Sequence, residues 1–144
     1  MSEVLCSEKL HSRRALRSTS ALLSPAPIAA AMGSSISRTS RAPALIESIR
    51  AGRPVTTSGA ASCMGRLDCK EPSHLALKYL AEAADIFMTV TDAQADETTA
   101  WLATAGIGSS PSGTGGLTGL RQALATPETF GLDTGSRVLL YVSE

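Results

Sequence analysis

Two stretches of this chain combine ligand-binding residue types with a position where a fold would present them. The first is Ser110-Pro111-Ser112-Gly113-Thr114-Gly115-Gly116, which leads into leucine-spaced helical sequence. Backbone N–H groups at a helix start attract anions, and glycines let a ligand come close to the backbone. The run is not a dinucleotide fingerprint, because Thr118 stands where a third glycine should follow Gly113 and Gly115. It is not a phosphate-binding P-loop either, since no Lys-Ser or Lys-Thr follows the glycines. Anion binding at Gly113–Gly116 and a plain turn that starts a helix both remain open. The second stretch is Ser143-Glu144, directly after the apolar run 137–142. Ligands of open parallel sheets bind at the carboxyl ends of strands, where a hydroxyl can meet their polar edge. An exposed chain end is the plain alternative.

Other reactive residues are sparse. The cysteines are Cys6, Cys63 and Cys69, an odd number, and the histidines are His11 and His74. Cys63 and Cys69 are six apart with no second pair, which supplies no recognisable zinc site and no disulfide scaffold. Reduced thiols suit an intracellular, cytoplasmic protein. Cys69 beside Lys70 would have its pKa lowered by the ammonium, although a bystander thiol is the plainer reading. Asp92, Asp96 and Glu97 fall in the first turns of a helix, where carboxylates match the positive helix end. No catalytic triad is visible, so no catalytic or metal-binding residue is assigned.

The elements that would position these residues follow from periodicity. Leu45, Ile46 and Ile49 share one helical face, and Gly52 with Pro54 stops that helix. Val55-Thr56-Thr57 is a short β-prone piece. Ser73 is placed to cap a helix to about Ala84, with Leu77, Leu80, Ala81 and Ala84 on one face. Ile86–Val90 is the clearest strand, and Thr91 or Asp92 caps the next helix, with Trp101, Leu102 and Ala105 as its expected buried face. Gly106 ends it. Leu117, Leu120 and Leu124 give a further helix, and Arg137–Val142 reads as a strand buried on both faces. The alternation predicts an α/β fold: a partial three-layer parallel sheet with flanking helices.

Composition sets the outer limits. The 144 residues are 43% hydrophobic but only 3% aromatic, so core volume must come from Leu, Ile, Val and Ala. No run of about 18 apolar residues exists, which excludes a membrane-spanning helix, and no overall basic excess argues for nucleic acid. The zero net charge is a cancellation: residues 1–42 carry six basic and two acidic residues, the rest seven and eleven. Residues 1–42 also hold ten serines, with Pro25 and Pro27 interrupting the one long apolar run. They read as a Ser/Arg-rich disordered arm preceding the globular part, 43–144. That composition also matches an organelle transit peptide, making the mitochondrion the alternative to the cytoplasm.

Three segments together resemble one family. They are Met64-Gly65-Arg66-Leu67-Asp68-Cys69-Lys70-Glu71-Pro72-Ser73, Pro111-Ser112-Gly113-Thr114-Gly115-Gly116-Leu117, and Leu140-Tyr141-Val142-Ser143-Glu144. Their order and separation are similar to the C-terminal part of fold-type II, tryptophan-synthase-β-like pyridoxal-phosphate enzymes, on the diaminopropionate ammonia-lyase branch. The resemblance covers about residues 43–144. It implies pyridoxal phosphate as cofactor, with Ser143 facing the pyridine nitrogen and Ser112, Gly113, Thr114 and Gly115 near the cofactor. A neutral hydroxyl at the nitrogen suits α,β-elimination from a diamino acid such as diaminopropionate. Met64 to Cys69 would wall the substrate side.

The departures are as informative. Ser110 and Pro111 stand where relatives often carry an acid, and Lys70 replaces the glycine after the cysteine. Lys9, Lys70 and Lys78 are the lysines, none in the family's Schiff-base context, and the central phosphate loop has no counterpart. The expectation is therefore a lyase fragment, inactive alone. The alternative is a non-catalytic remnant that pairs as an interaction module with a full-length subunit. The complete enzyme would take an amino-acid substrate and work as a homo- or hetero-dimer, with no nucleic-acid or membrane partner.

Overall fold

The computed structural model describes residues 4–6 and 35–143. The fold is α/β. In chain order the elements are β1 (Val4–Cys6), β2 (Ser35–Thr39), α1 (Ala44–Ala51), α2 (His74–Ala83), β3 (Ile86–Val90), α3 (Asp92–Thr104), α4 (Gly115–Ala123) and a 3-10 turn at Pro127–Phe130. β3 is the centre of a three-stranded sheet ordered β1-β3-β2. β2 runs parallel to it, from Ser35 opposite Ile86 to Thr39 opposite Val90. β1 runs antiparallel, with Val4 opposite Met88 and Cys6 opposite Ile86.

Every residue of β3 is buried, and its alternation builds the layers. Ile86 and Met88 pack with Ala123, Phe130, Leu132 and Leu120 on one face. Phe87 packs with Leu45, Ile46, Ile49, Leu77 and Leu80 of α1 and α2 on the other. Val90 joins Met64, Leu67 and Ala95 at the carboxyl end of the sheet. The three-layer arrangement thus stands, with an antiparallel edge strand on a parallel pair.

Local signals set the helix bounds. Gly52 ends α1 in the left-handed region at φ 63°, which glycine adopts without a side-chain clash. The Ser73 hydroxyl accepts from the Ala76 amide at the start of α2. Thr91 and Gln94 form a capping box on α3: each side chain accepts a bond from the other residue's backbone amide. Thr91→Ala is expected to cost about 1 kcal/mol, read as a lower urea midpoint at unchanged slope.

Four expectations need correction. Residues 137–142 form no strand ladder; the outer edge of β3 carries β1. Trp101 (52% exposed) and Ala105 are not on the buried face of α3, which is Ala95, Thr98 and Leu102; instead the Arg121 guanidinium lies 5.3 Å from the Trp101 ring centre. The leucine face expected of α4 holds only in part: Leu120 packs on Ile86 and Met88 and Leu124 is exposed, while the fully buried residues are the small Gly115, Thr118, Gly119 and Ala123. Val55–Thr57 forms no strand.

The sheet also reaches into the range read as an arm. Ser35–Thr39 is polar, yet it forms β2 because β3 offers it a full parallel edge. Most of the range read as disordered, residues 7–34, lies outside the described residues. Threonines are prominent in the interior: Thr39, Thr89, Thr98, Thr114 and Thr118 are buried. No buried side-chain polar atom lacks a hydrogen-bond partner among the described residues.

Candidate functional site

The three sequence segments singled out above meet at the amino end of α4. Residues 111–114 form a turn that leads into the helix. The Ser112 hydroxyl accepts from the Arg66 amide at 3.2 Å, and a side chain at position 115 would press on Leu67. The backbone of Ser143 fills the space a side chain at Gly113 would take, and its carbonyl accepts a hydrogen bond from the Ser109 hydroxyl. Leu140 and the Tyr141 carbonyl lie beside Gly116, each 3.9 Å from where a side chain there would begin. Ser112, Gly113, Thr114, Gly115 and Ser143 are therefore neighbours, although about thirty residues separate Ser143 from the others. Thr114 is anchored from below by a 2.8 Å hydroxyl contact with Thr99 of α3.

This arrangement is only partly visible in the sequence. Arg66 and Leu67, which hold the turn in place, belong to a segment singled out by resemblance, whereas Ser109, which bonds the Ser143 carbonyl, stands in no spacing that announces it. Gly119 had a signal: four residues after Gly115, it lies on the same helical face as that glycine.

A second polar assembly occupies the carboxyl ends of β2 and β3. The Asp92 carboxylate accepts from the Ser62 hydroxyl at 2.5 Å and the Cys63 amide at 3.3 Å, and pairs with Arg41 Nε at 2.8 Å. Asp68 accepts from the Ser62 amide at 3.1 Å and Lys70 at 2.6 Å. Thr39, the last residue of β2, donates to the Ser62 hydroxyl at 3.0 Å. These bonds fasten the loop over residues 58–70 across the strand ends and hold Arg66 and Leu67 against the glycine turn.

The electrostatics follow from those contacts. The Lys70 hydrogen bond, reinforced by the Ser62 amide, holds the Asp68 carboxyl below the usual range. Burial pushes Asp92 up, but the Ser62 hydroxyl, the Cys63 amide and Arg41 outweigh it, so its pKa also lies low. Burial, then the Asp92 charge, pushes the Cys63 thiol up to about 11, the opposite of an activated nucleophile. A depressed carboxyl pKa stabilises the fold above the unfolded value, about 4, and that contribution is lost as pH falls through the folded value. The thermal midpoint is therefore expected to hold from pH 7 to about 5 and to fall below about 4. Asp68→Asn with Asp92→Asn should flatten that fall; an unchanged profile in the double variant would rule these two groups out as its cause.

Pyridoxal phosphate needs an amine for its aldehyde and donors for its phosphate, and the residues here do not fit those two tasks. Lys70 Nζ uses its full donor capacity of three on the Arg41 carbonyl at 2.8 Å, the Ala60 carbonyl at 3.1 Å and Asp68. Its ammonium is thus engaged away from Cys69. Lys78 extends from α2 beside the Tyr79 ring, and Lys9 lies outside the described residues. The turn amides are also committed: Gly113 to the Ser110 hydroxyl at 3.1 Å, Thr114 to the Ser110 carbonyl at 3.0 Å and Gly115 to the Ser112 carbonyl at 3.3 Å. Anion capture by these three amides loses its donors for the same reason. A cavity of about 90 Å³ lined by Arg38, Leu45, Leu67, Cys69 and Pro72 is well below the roughly 300 Å³ at which small-molecule sites begin.

Among the described residues no group of three or more His, Cys, Asp or Glu is arranged to hold a metal, and no helix is long and apolar enough to cross a membrane. A family model described as pyridoxal-phosphate dependent enzyme matches residues 26–144, so the match takes in β2 and part of the range read as an arm. No curated protein matches. Among solved structures, the diaminopropionate ammonia lyase of Escherichia coli, in complex with an aminoacrylate-PLP azomethine reaction intermediate, aligns with TM-score 0.60 at 24% identity, covering 74% of this chain and 29% of that one. A threonine deaminase from T.th. aligns with TM-score 0.59 at 18% identity, covering 64% of this chain and 34% of that one. The chain spans about a third of the length of the solved structures it matches.

Proposed function

The chain belongs to the pyridoxal-phosphate dependent enzyme family, and from that premise we propose that residues 43–144 are the C-terminal part of a lyase for α,β-elimination on a diamino acid such as diaminopropionate, with ammonia released. Family membership brings pyridoxal phosphate, which supplies the electron sink for such eliminations. Ser143, Ser112, Gly113, Thr114 and Gly115 are the residues we assign to the cofactor side. The loop Met64 to Cys69 is assigned to the substrate side. The observation that supports this reading is the convergence of all three segments at the start of α4, with Arg66 on Ser112 and Ser143 on Gly113.

This polypeptide alone does not catalyse the reaction. Lys70 is bound to two carbonyls and a carboxylate, and the turn amides serve the turn itself. The same observation favours a second reading, a non-catalytic module that pairs with a full-length subunit in a homo- or hetero-dimer. Cytoplasmic residence, with the mitochondrion as alternative, belongs to the proposal and is read by fractionation.

The test uses the purified full chain with added pyridoxal phosphate and diaminopropionate. The expected result is no ammonia release and no pyridoxal absorbance that borohydride fixes to one lysine. Fixation at a single lysine would overturn the inactivity. Co-purification of the chain with a full-length lyase subunit would favour the pairing module.

A further inference from the structure

Residues 138–142 form the most exposed apolar run in the described chain: Leu139 is 77% and Tyr141 84% exposed. The run is rich in β-formers, forms no ladder, and yet is laid out like a strand. Val138 (39%) and Val142 (41%) are far less exposed than Leu139 and Tyr141, and Leu140 is half-buried against Gly116. That is the two-residue alternation of a strand with one covered face.

Its course is also that of a strand. Leu132, just before it, packs on Ile86 and Met88 of β3. Ser143, at its far end, lies against Gly113, at the amino end of α4, whose antiparallel course brings that end toward the carboxyl end of the sheet. The run therefore follows β3 in the same direction, after a crossover through α3 and α4, the connection that parallel strands require. Both segments are five residues long. Their alternation matches as well: Ile86 and Met88 face α4, as Leu140 does.

The outer edge of β3 is instead held by β1, which is three residues long, antiparallel, and paired only with Ile86–Met88. We infer that this edge is an exchangeable berth: Val4–Cys6 occupies it in one state, and Val138–Val142 replaces it as a parallel strand in another. In the second state the exposed side chains of Leu139 and Tyr141 turn to the α1–α2 face of the sheet. The two segments are then mutually exclusive, and β1 holds the C-terminal segment, with Ser143, out of the sheet. This inference rests on the strand geometry alone and survives failure of the lyase reading.

The test compares amide hydrogen exchange in the full chain and in a Val4→Pro, Leu5→Pro variant, which removes adjacent N–H donors from β1. The amides of Val138–Val142 are expected to slow at least tenfold in the variant while Ile86–Met88 stay protected. Adding Leu140→Pro should abolish that gain. Unchanged exchange at Val138–Val142 would overturn the proposal. So would loss of helical signal in the variant, because β1 would then be an integral strand. Protection that appears only with a doubling of mass would also overturn it, since a second copy would be the strand donor.

Discussion

Gly119→Val is expected to cost the fold about 3 kcal/mol, or about 10 °C in thermal midpoint for a chain of this size. Gly119 lies at the middle of the small face of α4, directly over β2 and β3. A side chain there would begin 2.9 Å from Met88 Sδ and would collide with the Ser37 hydroxyl. Ser37 and Met88 are register partners across the parallel pair, so the helix cannot move off one strand without leaving the other. Met88 is 1% exposed and has nowhere to swing. Valine adds a branched side chain that the helix cannot turn away from the sheet. Alanine is the graded control: its Cβ meets the same two side chains but returns about 1 kcal/mol through helix propensity, so Gly119→Ala should still destabilise, by less than valine. A neutral or stabilising Gly119→Ala would show that the close approach is not what the glycine provides.

Asp92→Ala is expected to cost about 3 kcal/mol and to loosen the loop that reaches the glycine turn. It removes the acceptor of the Ser62 hydroxyl and the Cys63 amide and the partner of Arg41. Bonds to a charged acceptor contribute about 1.5–3 kcal/mol each, and donors left without partners add a desolvation cost. Faster exchange at the Arg66 amide, the donor to Ser112, reads the loosening directly. A carboxylate that only matched the helix end would give about 0.5 kcal/mol, and high salt would screen it. A loss that persists in about 1 M salt and couples to Ser62→Ala in a double-mutant cycle identifies the tie. Additive effects of the two substitutions would refute it.

The contrast between those readings of Asp92 shows what the sequence could carry. The helices α1, α2 and α3 and the strand β3 were legible because their signals are local: a periodic apolar face, a capping threonine or serine, a glycine stop. The fold class followed from their alternation. β2 was not legible, since Ser35–Thr39 has no strand-like pattern and is placed by its neighbour. The Leu-spaced face of α4 was right for Leu120, which packs on Ile86 and Met88, but not for Leu124, which is exposed, and the closest approach to the sheet is made by Gly119. Residues 137–142 carry a true strand pattern, but pairing depends on which segment reaches the edge of β3. The candidate site was half visible. Ser112–Gly115 and Ser143 were singled out by type and position and lie side by side, whereas Arg41, Ser62, Asp68 and Asp92 lie up to about fifty residues apart and meet only once the strand ends are in place.

The buried threonines have a consequence for how this protein responds to temperature. Exposing apolar surface raises the heat capacity of unfolding, and exposing polar surface lowers it. An interior with hydroxyls at Thr39, Thr89, Thr98, Thr114 and Thr118 and a chain with 3% aromatic residues exposes less apolar area per residue than usual. The heat-capacity increment should then fall below the common value of about 12–15 cal/mol/K per residue. The stability curve of such a chain is flat and wide, so modest stability extends over a broad span of temperature rather than peaking near room temperature.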